Sequence, residues 1–126
     1  MKELIILAVV LIIVCAIFGC LPSKVEREKI AMINNITVTE LKEKISRGED
    51  FTLLDVREQY EYDAGHIENT KHIPLGQLKD RVGELDKEKE LVIYCQGGVR
   101  SLKAAKLFIE LGFSKVTNVK GGYARW

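Results

Sequence analysis

An apolar run opens the chain: every residue from Leu4 to Phe18 is hydrophobic, and no charged residue lies between Glu3 and Lys24. A helix of roughly 18 residues at 1.5 Å per residue is about 27 Å long, which is close to the thickness of a bilayer core. The pattern therefore predicts an N-terminal hydrophobic helix within residues 1–21, followed by a separate globular part.

Two interpretations of this first segment stay open. Residues 17–20 (Ile-Phe-Gly-Cys) resemble the lipobox of bacterial lipoproteins, although Phe18 is bulkier than the usual residue there. In that case the segment is a cleaved signal and Cys20 is the lipid attachment site. In the other case the helix is an uncleaved transmembrane anchor. Both predict a membrane-tethered domain on the extracytoplasmic side, because neither flank is strongly positive.

Residues 22–35 are rich in charge and predict a spacer. Pro22 ends the apolar segment, and Ser23 together with Glu26 has the spacing of a capping box. We therefore expect a short helix to about residue 33 and a globular domain over residues 36–126.

In this domain, short apolar runs typical of strands alternate with helical patterns. Strands are predicted at 36–38, 52–56, 72–75, 91–94 and 115–119, and helices at 39–47, 58–64, 78–85 and 100–111. Thr39 is the expected cap of the first of these helices. The alternation predicts an α/β fold, with a small parallel β-sheet flanked by helices.

Charge and cysteine content narrow the function classes. The 126 residues include 19 basic and 18 acidic side chains, for a net charge of +1. Because the two signs are intermixed, we expect no nucleic-acid partner. Of Cys15, Cys20 and Cys95, only the last lies in the globular part, which excludes a disulfide framework there. His66, His72 and Cys95 lack metal-ligand spacing, so neither a metal nor another cofactor is expected.

The segment around Cys95 carries the candidate chemistry. The strand at 91–94 ends at Cys95, Gly97 and Gly98 allow a tight turn, and a helix begins near Arg100. In α/β folds, ligands bind beyond the carboxyl ends of the strands. The loop amides, the helix N-terminus and the guanidinium group all favour a thiolate and lower the pKa of Cys95. The pattern predicts a nucleophilic cysteine in a cradle for an anion.

Four segments, in this order, resemble those of the single-domain rhodanese (thiosulfate sulfurtransferase) family. They are Leu54-Asp55-Val56-Arg57, Gly65-His66-Ile67 followed by Ile73-Pro74-Leu75, the Cys95 loop, and Gly121-Gly122 before Trp126. The resemblance covers about residues 36–126 and implies a rhodanese-like fold. It further implies that Cys95 takes a sulfane sulfur from thiosulfate or a persulfide donor, becomes a persulfide, and passes the sulfur to a thiol or to cyanide.

The resemblance also implies roles for the neighbouring residues. The donor is expected to bind to Gln96, Gly97, Gly98, Val99 and Arg100. Asp55, Arg57 and His66 are expected to be structural, Glu61 to hold its segment by hydrogen bonds, and Ser101 to cap the helix. Gln96 stands where many family members carry a basic residue, so we expect weak binding of thiosulfate and better use of persulfides or polysulfide.

The length of the loop separates the reaction classes. Cys95 to Arg100 is Cys-x4-Arg, whereas protein tyrosine phosphatases use Cys-x5-Arg, so the shorter loop favours sulfur over phosphoryl chemistry. One alternative is a non-catalytic sulfur carrier or binding module of the same fold. Another, disfavoured by the loop length, is a small-anion phosphatase or arsenate reductase. Because the domain has no second cysteine, any resolving thiol is expected from a partner.

Overall fold

The computed structural model describes residues 2–19 and 22–126. Its first helix, α1 (Lys2–Phe18), has 17 residues and contains the N-terminal apolar run. Among the helices of the described ranges, none is both long enough and apolar enough to cross a membrane. The predicted membrane-spanning anchor has no counterpart among these helices. Cys20, the predicted lipid attachment site, lies outside the described residues.

The second helix, α2 (Lys24–Ala31), begins where the capping pattern predicts. The N–H of Glu26 donates to Ser23 Oγ over 3.1 Å, which satisfies one of the free amides of the first turn. Lys29 of this helix forms an ion pair of 3.1 Å with Glu110. The charged segment thus contacts the globular part of the molecule.

The first strand lies earlier than predicted. The structure places β1 at Ile33–Ile36, and α3 (Val38–Ser46) already begins where the strand at 36–38 was expected. The cap is Thr37, and not Thr39, because Thr37 Oγ1 accepts the N–H of Glu40 over 3.1 Å. The last part of the expected spacer therefore supplies a strand of the sheet.

The sheet has five strands, and every pair within it is parallel, as predicted. The order across the sheet is β1-β5-β4-β2-β3. The remaining strands are β2 (Thr52–Asp55), β3 (Lys71–His72), β4 (Leu91–Tyr94) and β5 (Val116–Val119). All four residues of β4 are buried, as expected for a central strand with both faces covered.

Helices cover both faces of this sheet. One apolar cluster joins Leu54 and Ile93 to Phe108, and the other joins Val92 and Tyr94 to Leu41. The later helices are α4 (Gln59–Ala64), α5 (Leu78–Arg81) and α6 (Val99–Glu110), with 3₁₀ turns at Leu75–Gln77, Val82–Glu84 and Gly122–Arg125. This arrangement confirms the α/β fold with a parallel sheet flanked by helices.

The register of β2 and β4 determines where the site forms. Asp55 at the end of β2 pairs with Tyr94 at the end of β4. The residues that follow, Arg57 after β2 and Cys95 after β4, therefore leave the same edge of the sheet side by side.

Candidate active site around Cys95

Cys95 lies between the central strand β4 and the helix α6, as predicted, and only 1% of its surface is exposed. Gly98 caps the helix in a left-handed conformation with φ of 103°, which a side chain would strain. The turn points the N-terminal amides of α6 back toward the end of β4. The positive end of the helix dipole is thereby directed at the thiol.

The sulfur is hydrogen-bonded to the loop and to the helix. The N–H of Gly98 donates to Cys95 Sγ over 3.0 Å, and the thiol of Cys95 donates to Ser101 Oγ over 3.4 Å. Burial by itself raises the pKa of the thiol. The hydrogen bonds of the Ser101 hydroxyl and of the Ser101, Gly98 and Gly97 amides outweigh burial and lower the pKa of Cys95. The direction agrees with the prediction from the loop pattern.

Ser101 differs from its predicted role. Gly98 is the cap, and Ser101 is buried in the first turn of α6, where its hydroxyl accepts from the Cys95 thiol and donates its own proton to the Gly98 carbonyl over 3.1 Å. The side chain therefore connects the cap to the sulfur. Its place three residues after Gly98 was visible in the sequence, but the direction of its side chain was not.

The chain after β5 holds the Cys95 loop by backbone hydrogen bonds. The N–H of Tyr123 donates to the Cys95 carbonyl over 2.8 Å, and the N–H of Ala124 donates to the Gln96 carbonyl over 3.0 Å. Gly122, with φ of 58°, lies so close that a Cβ there would overlap the Cys95 carbonyl and lie 2.8 Å from that of Gln96. The Gly121-Gly122 pair thus permits close contact of two backbone segments, a role that sequence analysis did not assign.

Arg57 is buried and supports the loop from the side of β2. Its guanidinium donates to Asp55 Oδ2 over 2.7 Å and to the Gly65 carbonyl over 2.7 Å. It also donates to Gln96 Oε1 over 3.2 Å and lies 4.3 Å from the ring centre of Tyr123. These contacts join four segments of the chain and fit the predicted structural role of Asp55 and Arg57.

Arg100, the predicted anion-binding residue, is already paired. Its two terminal nitrogens donate to the two carboxylate oxygens of Glu61 over 2.6 and 2.8 Å. Glu61 also accepts the N–H of Glu58 over 2.9 Å, so its carboxylate is fixed at the start of α4. The hydrogen bond with Arg100 lowers the pKa of Glu61 to about 2. Glu61 therefore stays charged at physiological pH and neutralises the loop arginine.

His66 lies on the outer side of the site. Its Nδ1 is 2.9 Å from the Tyr62 carbonyl, and its ring stacks on that of Tyr62 with centres 3.7 Å apart. The opposite face of Tyr62 stacks on His72, whose Nε2 lies 2.7 Å from the Arg57 carbonyl. The stack joins the segment after Arg57 to β3, which fits the structural role expected for His66.

Of the remaining loop residues, Gly97 contributes its amide to the thiol, whereas Gln96 faces Arg57 and the Val99 side chain is 70% exposed. A depression of about 320 Å³ adjoins Gln96. It is lined by Arg57, Tyr60, Glu61, Ala64, Gln96 and Tyr123. The arrangement can stabilise a thiolate, or a second anionic sulfur attached to it, through backbone amides.

Comparison with known proteins agrees with this arrangement. Residues 37–126 match the family described as "Rhodanese-like domain". "Putative sulfurtransferase YtwF" of Bacillus subtilis is 42% identical over 94 residues, which cover 75% of this chain and 90% of that protein. "Putative sulfur carrier protein YrkF" of the same organism is 39% identical over 99 residues, which cover 79% of this chain but only 54% of that protein.

Among solved structures, a rhodanese-like domain protein from Staphylococcus aureus superimposes with a TM-score of 0.68 at 34% identity. The match covers 74% of this chain and 90% of that one. The family match spans well over half of the chain, and the two relatives and the solved structure are all more than 30% identical. The chain therefore belongs to the rhodanese-like domain family.

Proposed function

We propose that this protein is a sulfurtransferase that carries sulfane sulfur as a persulfide on Cys95. The observation that carries the proposal is the set of polar groups around the sulfur: the Gly98 amide, which donates to it over 3.0 Å, and the Ser101 hydroxyl, which lies 3.4 Å away, at the N-terminus of α6. These groups favour an anionic sulfur, and both the thiolate and the persulfide are anionic.

In the loading step, the Cys95 thiolate attacks the outer sulfur of the donor and forms an S–S bond. With thiosulfate, the bond between the two donor sulfurs breaks and sulfite leaves with the electron pair. With a persulfide donor, the corresponding thiolate leaves. The product in either case is a Cys95 persulfide whose terminal sulfur carries the negative charge.

In the unloading step, a thiol or cyanide acceptor attacks the terminal sulfur. The S–S bond to Cys95 breaks, and the electron pair returns to the cysteine as a thiolate. The acceptor leaves as a persulfide or as thiocyanate. No oxidant or reductant is consumed, so the cycle needs no redox cofactor.

The test is mass spectrometry of the full chain after incubation with thiosulfate or glutathione persulfide. The expected result is a mass increase of one sulfur atom on the peptide that contains Cys95. The variant C95S should lose this adduct, whereas C15S, a matched control in the N-terminal segment, should retain it. Absence of a Cys95 adduct with both donors would overturn the proposal.

A sulfur carrier is the second candidate. It is favoured by the burial of Cys95, which is 1% exposed, because a buried persulfide is protected from thiols in solution. The resemblance to a protein named as a sulfur carrier points the same way. Turnover with thiosulfate and cyanide distinguishes the two: an enzyme forms thiocyanate continuously, whereas a carrier takes up one sulfur on Cys95 and holds it without forming thiocyanate.

We also propose that the N-terminal segment tethers the domain to the outer face of a membrane. The support is the uninterrupted apolar run from Leu4 to Phe18 and the lipobox-like residues before Cys20. Fractionation of cells that produce the full chain tests the tether. A lipid mass that is lost in C20S would identify lipid attachment, and recovery of the intact chain in the soluble fraction would contradict the tether.

A further inference from the structure

Both arginines that contact the Cys95 loop are neutralised by carboxylates. Arg57 pairs with Asp55 over 2.7 Å, and Arg100 forms a two-pronged pair with Glu61. The depression beside Gln96 has one arginine and one glutamate among its six lining residues. The surroundings of the loop thus combine strong hydrogen-bond donors with balanced charge.

This balance matters because the two donor classes differ in charge at the reacting end. Thiosulfate brings two negative charges within a few bonds of the sulfur that is transferred, whereas an ionised persulfide brings one. The loop amides and the helix dipole can hold one anionic sulfur. Moving a second negative charge out of water needs a cation in addition.

We propose that Glu61 is a specificity-determining residue: by neutralising Arg100, it disfavours dianionic thiosulfate and leaves persulfides as the preferred sulfur donors. The inference rests on the proposed sulfurtransferase function. Glu61 acts through Arg100 and takes no part in bond making, so it is a positioning residue and not a catalytic one.

The geometry shows that Glu61 is built into this position. Its carboxylate accepts two hydrogen bonds from Arg100 and a third from the N–H of Glu58. Its side chain is 16% exposed and that of Arg100 is 31% exposed, so water screens the pair only in part. The negative charge of Cys95 also raises the pKa of Arg100, after the larger effect of Glu61.

The test compares E61Q with the wild type in the rate of persulfide formation on Cys95. The glutamine keeps an oxygen that accepts the Glu58 amide but removes the charge that neutralises Arg100. Rate constants are measured by mass spectrometry for thiosulfate and for glutathione persulfide. The thiosulfate-to-persulfide ratio is expected to rise about tenfold in E61Q.

The matched control is D63N, which removes one negative charge from an exposed position of the same helix. Asp63 bonds to Gln59 and is not the partner of Arg100. The thiosulfate-to-persulfide ratio of D63N is expected to stay within about twofold of the wild type. The double variant E61Q/R100Q should lose the gain, because the freed cation is removed.

The wild type provides a measurement that does not depend on the folding of a variant. With the local charge balanced, loading by thiosulfate should depend only weakly on ionic strength, whereas in E61Q it should fall as salt is added. An unchanged donor ratio in folded E61Q, or a steep salt dependence in the wild type, would overturn the role of Glu61. Loading would still be observed in either case, whereas failure of the proposed function would abolish loading by both donors.

Discussion

The backbone amide of Tyr123 donates to the carbonyl oxygen of Cys95 over 2.8 Å, so the residue that carries the thiol is itself held by the 3₁₀ turn after β5. The contact requires a glycine at position 122, because a Cβ there would overlap that same carbonyl. The geometry of the loop therefore depends on a residue far from it in sequence.

This contact predicts the effect of G122A. The added methyl group meets two backbone carbonyls, and the φ of 58° strains any side chain, so we expect a loss of about 1–3 kcal/mol in the free energy of unfolding. Persulfide formation on Cys95 should slow as well. Urea unfolding and the loading assay measure the two effects.

Gly83 provides the control, because no atom lies within 4 Å of a Cβ placed on it. G83A should unfold within about 0.5 kcal/mol of the wild type. Equal stability of G122A and the wild type would contradict the close contact.

The environment of the sulfur predicts how its reactivity depends on pH. Because the hydrogen bonds of Ser101 and the loop amides lower the pKa of Cys95, alkylation should reach half its maximal rate at a lower pH than for free cysteine. S101A removes the hydrogen bond between the hydroxyl and the sulfur, and the midpoint should move to higher pH. Peptide-resolved alkylation with iodoacetamide separates Cys95 from Cys15 and Cys20.

Ser114 is an exposed serine at which the same substitution serves as a control. S114A is expected to leave the midpoint where it is in the wild type. If S101A leaves it there too, the hydroxyl does not stabilise the thiolate.

Because Asp55 and Arg57 form a buried ion pair, we expect a single variant to lose much more unfolding free energy than the double variant. R57M removes a cation that is 2% exposed and leaves Asp55 charged and buried, which should cost about 3–5 kcal/mol of unfolding free energy. D55N/R57M removes both charges and should be less destabilised than R57M. Denaturant unfolding measures both, with R27M at an exposed position as the control.

The pair of Glu61 and Arg100 predicts how stability depends on acid. The pKa of Glu61 is lowered from 4.5 to about 2 on folding, so its contribution is fully present above pH 4.5 and is lost as the pH falls toward 2. Between pH 5 and pH 3 the wild type should lose about 1 kcal/mol more than E61Q, allowing for solvent screening. Urea unfolding at the two pH values checks the difference; parallel losses would show that the pair adds no stability.

The central part of the fold follows from local pattern. The apolar run 91–94 is the fully buried strand β4, and the strip of apolar residues after Arg100 is the helix α6. Gly97 and Gly98 mark the turn between these runs, and Gly112 follows the helix. Since Cys95 stands between the two elements, its place at the carboxyl end of a central strand was predictable from the chain alone.

The first strand was predicted less well, for a physical reason. In β1 the two middle residues, Asn34 and Asn35, are polar and exposed, and asparagine pairs are more typical of turns. Edge strands tolerate this because they have one neighbour; here Asn118 of β5 donates to Asn35 over 3.1 Å. The pairing that makes these residues a strand comes from the other end of the domain.

The hydrogen-bond partners of the candidate site residues could likewise not be predicted from the sequence. Arg100 and Glu61 are 39 positions apart, and either could have faced water. The residue types at the site indicated a cradle for an anion. Only the fold shows that the guanidinium of Arg100 is hydrogen-bonded to the carboxylate of Glu61. The expectation of weak thiosulfate binding, first based on Gln96, thereby gains a second basis in Glu61.

The pairing of β1 with β5 also has a consequence for when the sheet can form during synthesis. Asn35 and Asn118 are 83 positions apart, so the first strand leaves the ribosome long before its neighbour exists. Contacts between such distant residues form late and slow the folding of a domain. Cys95 emerges before residues 122–124, whose turn holds its carbonyl. The backbone of the loop is therefore fixed at this point only after the turn at 122–124 has joined the sheet.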